Sequence, residues 1–251
     1  MRKTLTTYAA PSRFYAMAGA WIPWFWAVTL LTGAAGLFIG FGIAPTDFQQ
    51  GDAYRIIFIH VPAAWMSMLI YLVMAFWAAM GWMLNTRMSA MLARALAPTG
   101  AMFTFIALWT GALWGKPTWG TWWVWDARLT SEFILLLMYG GYIALTEAID
   151  DPKRAANAGA LLALVGVVNV PIIYFSVRWW NTLHQGSSIS LTSAPKMVAT
   201  MLTGMLLMTL CFWAYSFAVV FIRARAIVLE QESDTEWARA LTRAENGGGG
   251  R

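Results

Sequence analysis

The segment from Trp21 to Ala44 runs for roughly two dozen residues without a charged side chain, and nothing else in this sequence restricts its folding so strongly. At about 1.5 Å of rise per residue, a helix of that length crosses a hydrocarbon layer roughly 30 Å thick. Inside hydrocarbon every backbone N–H and C=O must find its partner within the segment, which selects helix. The same pattern recurs at about 61–84, 95–114, 129–148, 157–177 and 196–222. The first run is too long for the apolar core of a signal peptide, and its repetition marks it as a retained span. The expected fold is an all-α membrane protein of six transmembrane helices. Residues 1–222 form the membrane domain, and 223–251 form a polar tail, helical to about Arg243. Asn85 to Arg94 is expected as a short loop between spans 2 and 3.

Composition supports this reading. The chain is 59% hydrophobic and 12% charged, against roughly 25% charged in soluble domains. Its net charge of +5 is spread over loops and tails that flank apolar runs, so it gives no sign of nucleic-acid binding. The single cysteine, Cys211, excludes an intrachain disulfide and a four-cysteine metal site, and reads as a small apolar residue of span 6. Basic residues near span ends set orientation. Arg2, Lys3, Arg13, Arg87, Arg94, Lys153, Arg154, Arg223 and Arg225 fall on the side of the termini, against Arg55, Lys116, Arg128, Arg178 and Lys196 on the other. Nine against five predicts cytoplasmic N- and C-termini.

Loops separated by an even number of crossings share a compartment. His60 follows span 1, the loop between spans 3 and 4 carries a tryptophan cluster, and His184 follows span 5. The only two histidines therefore meet that cluster at one face, which the charge bias makes the outer one. Six of the 16 tryptophans lie between Trp109 and Trp125, interleaved with Gly, Lys and Asp rather than with aliphatic core residues. Tryptophans at a membrane interface usually form a belt, and Trp21, Trp24, Trp26, Trp82, Trp213 and the pair Trp179–Trp180 fit that role. Trp119, Trp122, Trp123 and Trp125 inside a polar loop do not. Pro117 suits the start of a short helix that would set Trp119, Trp122, Trp123 and Asp126 on one face.

Two imidazoles flanking a flat aromatic surface suit haem, whose iron takes two axial nitrogens and whose disc lies against indole faces. Gly115 and Gly120 would let backbone approach the ring edge. Arg55, Lys116, Arg128 and Arg178 are the cations on that side available to haem propionates. Asp126 is suited either to cap a helix or to pair with Arg128. Glu132, about one turn into span 4, is either a functional group or a second partner of Arg128.

The run from Trp114 through Gly115, Lys116, Pro117, Thr118, Trp119, Gly120, Thr121, Trp122, Trp123, Val124, Trp125 and Asp126 to Thr130 resembles the "WWD" signature of the haem-handling proteins of cytochrome c biogenesis. Within that group the chain resembles the haem exporter protein C (CcmC) family over nearly its whole length. The matching stretches include Tyr54 to Ala64 and Trp179 to Gly186; the tail after about Arg225 carries none of the match. The resemblance implies a multi-pass bacterial inner-membrane protein holding one haem b at its periplasmic face. It implies His60 and His184 as axial ligands, and contact to the macrocycle from Trp114, Gly115, Trp119, Gly120, Trp122, Trp123, Trp125 and Asp126. It further implies the partners CcmA and CcmB (an ABC transporter pair), the small subunit CcmD and the periplasmic haem chaperone CcmE, to which haem would be presented. The chain has no P-loop, so ATP hydrolysis belongs to a partner and no enzymatic activity is expected here. The sister families CcmF and CcsA share the loop but carry more spans and more histidines. Two rival readings remain: a channel or carrier for haem or another solute, and a structural subunit whose tryptophan loop docks a protein.

Overall fold

A computed structural model describes residues 10–184, 195 and 197–248. Arg2, Lys3, Gln185, Gly186 and Lys196, used above for orientation and resemblance, lie outside the described residues. The described residues are almost wholly helical, and six helical segments among them are long and apolar enough to cross a membrane. Helix α1 (Pro11–Leu37) continues as a π-helical turn, Phe38–Ile43. A short 3₁₀ turn, Asp52–Ile56, leads into α2 (Ile57–Leu84), and α3 covers Arg87–Trp119. Then come α4 (Ala127–Glu147), α5 (Pro152–Gly166), α6 (Asn169–Trp179), α7 (Ala199–Gln231) and α8 (Glu236–Gly248).

The helices run further than the apolar stretches alone suggest. The loop expected at Asn85 to Arg94 shrinks to two residues, because Asn85 takes the left-handed conformation (φ 53°) and the chain reverses at once. Met88, Met91 and Ala93 then bury an apolar face although Arg87 and Arg94 stand beside them. Arg87 pairs with Glu232 at 3.0 Å and Arg94 with Glu230 at 3.8 Å, so the last turns of α7 close this end of the bundle. The fifth span is broken instead of continuous. Pro171 has no N–H for the carbonyl of Val167, and α5 stops at Gly166 before α6 restarts at Asn169. Asn169 Nδ2 donates to the Ser131 carbonyl at 2.8 Å across the break.

The core lies between α2 and α3, lined by Tyr71, Met74, Met91 and Phe103, with Leu135 and Tyr139 of α4 closing one side. Small residues such as Ala93, Ala95, Ala97 and Ala107 let α3 lie close to its neighbours. Exposed Leu30, Leu31, Phe76, Phe105, Leu161 and Val165 face outward, the arrangement expected where the surrounding medium is hydrocarbon. A polar link crosses this core: Ser67 Oγ lies 2.7 Å from Glu132 Oε1, and Tyr139 donates to the Ser67 carbonyl at 2.8 Å. Glu132 thus makes its hydrogen bond with α2, whereas Arg128 turns to the Ile173 carbonyl at 3.0 Å.

Candidate functional site

His60 sits in the first turn of α2 and not in the preceding loop, and only 8% of it is exposed. The 3₁₀ turn before it is pinned by Arg55, which donates to Asp52 at 2.8 Å and to the Gly40 carbonyl at 2.6 Å. Across from His60 runs α3. Thr110 Oγ1 lies 3.0 Å from His60 Nδ1, and a Cβ at Gly111 would stand 3.0 Å from His60 Cε1, close enough to press on the ring. One turn on, Trp114 packs against the imidazole in a T-shaped arrangement, with ring centroids 5.7 Å apart, and its Nε1 donates to Gln50 Oε1 at 2.6 Å.

The expected short helix from Pro117 does not form. Instead α3 itself runs through Pro117 to Trp119 and is stopped by Gly120, whose φ of 78° is the left-handed cap that glycine accepts most readily. Residues 121–125 are non-helical, so Trp119, Trp122, Trp123 and Asp126 do not share a helix face. They divide. Trp119 packs against His184 at 5.5 Å between centroids, the two planes 60° apart. Trp123 packs against Trp125 and Phe133, while Trp122 and Trp125 are 54% and 75% exposed. Gly115 is buried beneath the returning loop, where a Cβ would stand 3.1 Å from the Thr121 carbonyl oxygen.

Asp126 ties this loop to the next. Its Oδ1 accepts from the Leu129 N–H at 2.8 Å and so caps α4, as one of the two readings of this residue had it. Its Oδ2 accepts from the Thr182 hydroxyl, and Thr182 Oγ1 in turn accepts from the His184 N–H at 3.1 Å. The result brings the two histidines together, with centroids 6.2 Å apart and rings tilted by 55°. Burial, reinforced by the Arg128 charge, pushes the His184 imidazole down to about 4, which leaves it neutral and able to donate its lone pair near neutral pH.

The donor set discriminates among ligands. Among the described residues no three His, Cys, Asp or Glu side chains gather as a metal site. Two imidazoles this close, with ring centroids 6.2 Å apart and planes tilted by 55°, would suit a metal that brings its own equatorial nitrogens. His184 Nδ1 and Trp123 Nε1 are buried here without a hydrogen-bond partner. Of the four candidate cations, Arg55 and Arg128 are engaged as described, Lys116 donates to the Gly120 carbonyl at 3.1 Å and lies over Trp122, and Arg178 is exposed near the end of α6. Thr110, Thr182 and Gln50 escaped the sequence reading. Thr110 could have been found from its place one turn before Trp114; the other two carry no such signal.

The profile of the family described as "Heme exporter protein C" matches residues 4–239. Heme exporter protein C of Escherichia coli K12 is 47% identical over 241 residues, covering 96% of this chain and 97% of the relative. The Bradyrhizobium diazoefficiens protein of the same name is 46% identical over 239 residues, covering 95% and 88%. That of Haemophilus influenzae is 43% identical over 243 residues, covering 96% and 98%.

Proposed function

Because this chain belongs to the haem exporter protein C family, we propose that it grips haem b between His60 and His184 at the periplasmic face of the bacterial inner membrane and presents it to the chaperone CcmE. The family itself sets the coarser frame: a multi-pass inner-membrane component of a haem delivery system for cytochrome c maturation, not a catalyst. One haem per chain follows from two histidines. The observation that carries the reading is the 6.2 Å approach of the two imidazoles, with Trp114 packed against His60 and Trp119 against His184.

Haem supplies an iron with two open axial positions and a flat apolar ring bearing two propionates. His60 and His184 fill the axial positions through neutral imidazole nitrogens. Trp114, Trp119 and Trp123 line the ring, the exposed Trp122 and Trp125 extend the aromatic surface outward, and Gly115 and Gly120 shape the loop that carries them. Arg178 and Lys116, the exposed cations of this face, are the propionate partners best able to turn toward a ligand, with Arg55 and Arg128 behind them. Assembly with CcmA, CcmB and CcmD supplies ATP-driven release of the loaded chaperone, since this chain carries no nucleotide-binding loop.

The test is an absorption spectrum of protein purified in mild detergent. The wild type should show a low-spin haem with two imidazole ligands, and H60A or H184A should weaken or abolish it. Undiminished haem content in the double variant would remove the assignment.

A further inference from the structure

The two imidazoles lie in ring contact but are held by unlike means. His60 rides on α2, is almost fully buried, and has its Nδ1 3.0 Å from Thr110 Oγ1 on α3. The Thr110 hydroxyl owns one proton, which is directed at the Ile106 carbonyl 2.6 Å away. Toward His60 it can therefore only accept, so Nδ1 carries the hydrogen and Nε2 keeps the lone pair. The Ala107 carbonyl also accepts from the ring, and together with Thr110 it orients His60 before any ligand arrives. His184 lies in the loop after α6, and its fastening is to the main chain: its N–H donates to Thr182 at 3.1 Å. Among the described residues its ring has no comparable hold. Nδ1 is buried with no hydrogen-bond partner among them, and the imidazole packs against Trp119 and His60.

We propose that Thr110 is the positioning residue that makes His60 the retained axial ligand, and that His184 is the ligand surrendered when haem passes to its recipient. The inference rests on the reading above that both histidines ligate haem. A ring N–H donated to an oxygen raises the basicity of the opposite nitrogen, and losing such a partner costs about 10–100-fold in metal affinity. His60 has that support and His184 lacks it, so an incoming donor meets less resistance on the His184 side. A nitrogen or oxygen side chain of the recipient would form its bond to iron as the bond from the His184 imidazole breaks. No electron is transferred; this exchange would leave haem bridged between His60 and the recipient, and the His60 bond would break only when the recipient departs.

The full chain, purified with haem in detergent, is compared as wild type, H60G, H184G, T110S and T110V, with free imidazole titrated into each while the visible spectrum is followed. H184G should keep haem and recover the low-spin spectrum when imidazole fills the vacated position. H60G should bind haem at least about tenfold more weakly than H184G and recover little. T110V should lower haem affinity by about 10–100-fold and shift the reduction potential, with T110S close to wild type because it restores the acceptor oxygen. Equal retention and equal rescue in H60G and H184G would overturn the inference, as would T110V behaving as wild type. The histidine pair decides the matter even where T110V fails to fold. A wild-type spectrum without paired imidazole ligands would overturn the underlying reading and this inference together.

Discussion

Removing the Thr182 hydroxyl should loosen the haem site while leaving the fold intact. Asp126 uses its two oxygens for different ends: Oδ1 caps α4 through Leu129 N at 2.8 Å, and Oδ2 holds Thr182, which holds the His184 N–H. A hydrogen bond to a charged group contributes about 1.5–3 kcal/mol, and each 1.4 kcal/mol is a factor of about ten in affinity. If the whole bond serves to keep His184 in place, T182V lowers haem affinity by about 10–100-fold, with the lower figure expected because the loop retains other contacts. Asp126→Ala loses the same link and the cap as well, adding about 0.5–2 kcal/mol of lost stability. Asp151→Ala is the control. Asp151 caps α5 through Arg154 N at 2.7 Å, so its loss has the same local chemistry in a turn that takes no part in the histidine pair. Haem affinity by absorbance titration and thermal unfolding in detergent should then separate. T182V changes affinity alone, D151A stability alone, and D126A both. Affinity of T182V within twofold of wild type, or a loss in D151A equal to that in D126A, would refute the link.

Three further outcomes follow from the site. Because burial and the Arg128 charge depress His184 to about 4, haem binding should stay level from pH 8 to about 5 and fall only as protons compete near pH 4; half-loss near 6.5, the value of a free imidazole, would contradict this. The same depression makes the unfolded state bind the extra proton first, so the contribution of His184 to stability is full above about pH 6.5 and declines as pH falls toward 4. Gly111→Ala places a methyl against the His60 ring and should weaken haem binding while leaving thermal stability near that of wild type, read by the paired titration and melt. With Cys211 replaced by Ala, cysteines at Trp122 and Trp180 should react with a membrane-impermeant maleimide from the periplasmic side, whereas one at Asp234 should react only after permeabilisation; the reverse pattern would invert the orientation.

The spans were legible because length and apolarity are the physics of crossing a bilayer, and each of the six apolar runs lies largely within a helical segment. Their ends were not, because amphipathic turns such as Arg87 to Arg94 bury methionine and alanine on one side while their arginines reach acidic partners more than a hundred residues away. Parity of crossings was enough to bring His60 and His184 to one face, and they stand in ring contact. The course of the loop between them was misjudged at Pro117. A proline can open a helix, but it is also tolerated near the end of one already under way, and Gly120 three residues later was the stronger stop signal. Thr110 and Thr182 stayed hidden for a different reason. A threonine in a helix normally returns its hydroxyl to the carbonyl four residues earlier, and Thr110 does so. What matters is the lone pair left over, and only the packing of α3 on α2 shows what that lone pair meets.

That division between what is buried and what is offered also accounts for the tryptophans. An aromatic belt would spread its rings around the molecule at one depth, all turned toward lipid headgroups. Here Trp114 and Trp119 each pack against a different histidine, and Trp123 is packed with its N–H unpartnered among the described residues. Trp122 and Trp125 remain exposed a few residues further on. A loop that had only to anchor the chain in the interface would gain nothing by sending two indoles to the two imidazoles, and one that had only to pack would not leave two more in the open. Both fit the proposed role, in which the loop would surround the two histidines on its inner side and extend a flat apolar surface on its outer side. Such a surface can carry the edge of a planar ligand into the reach of the protein that takes it away.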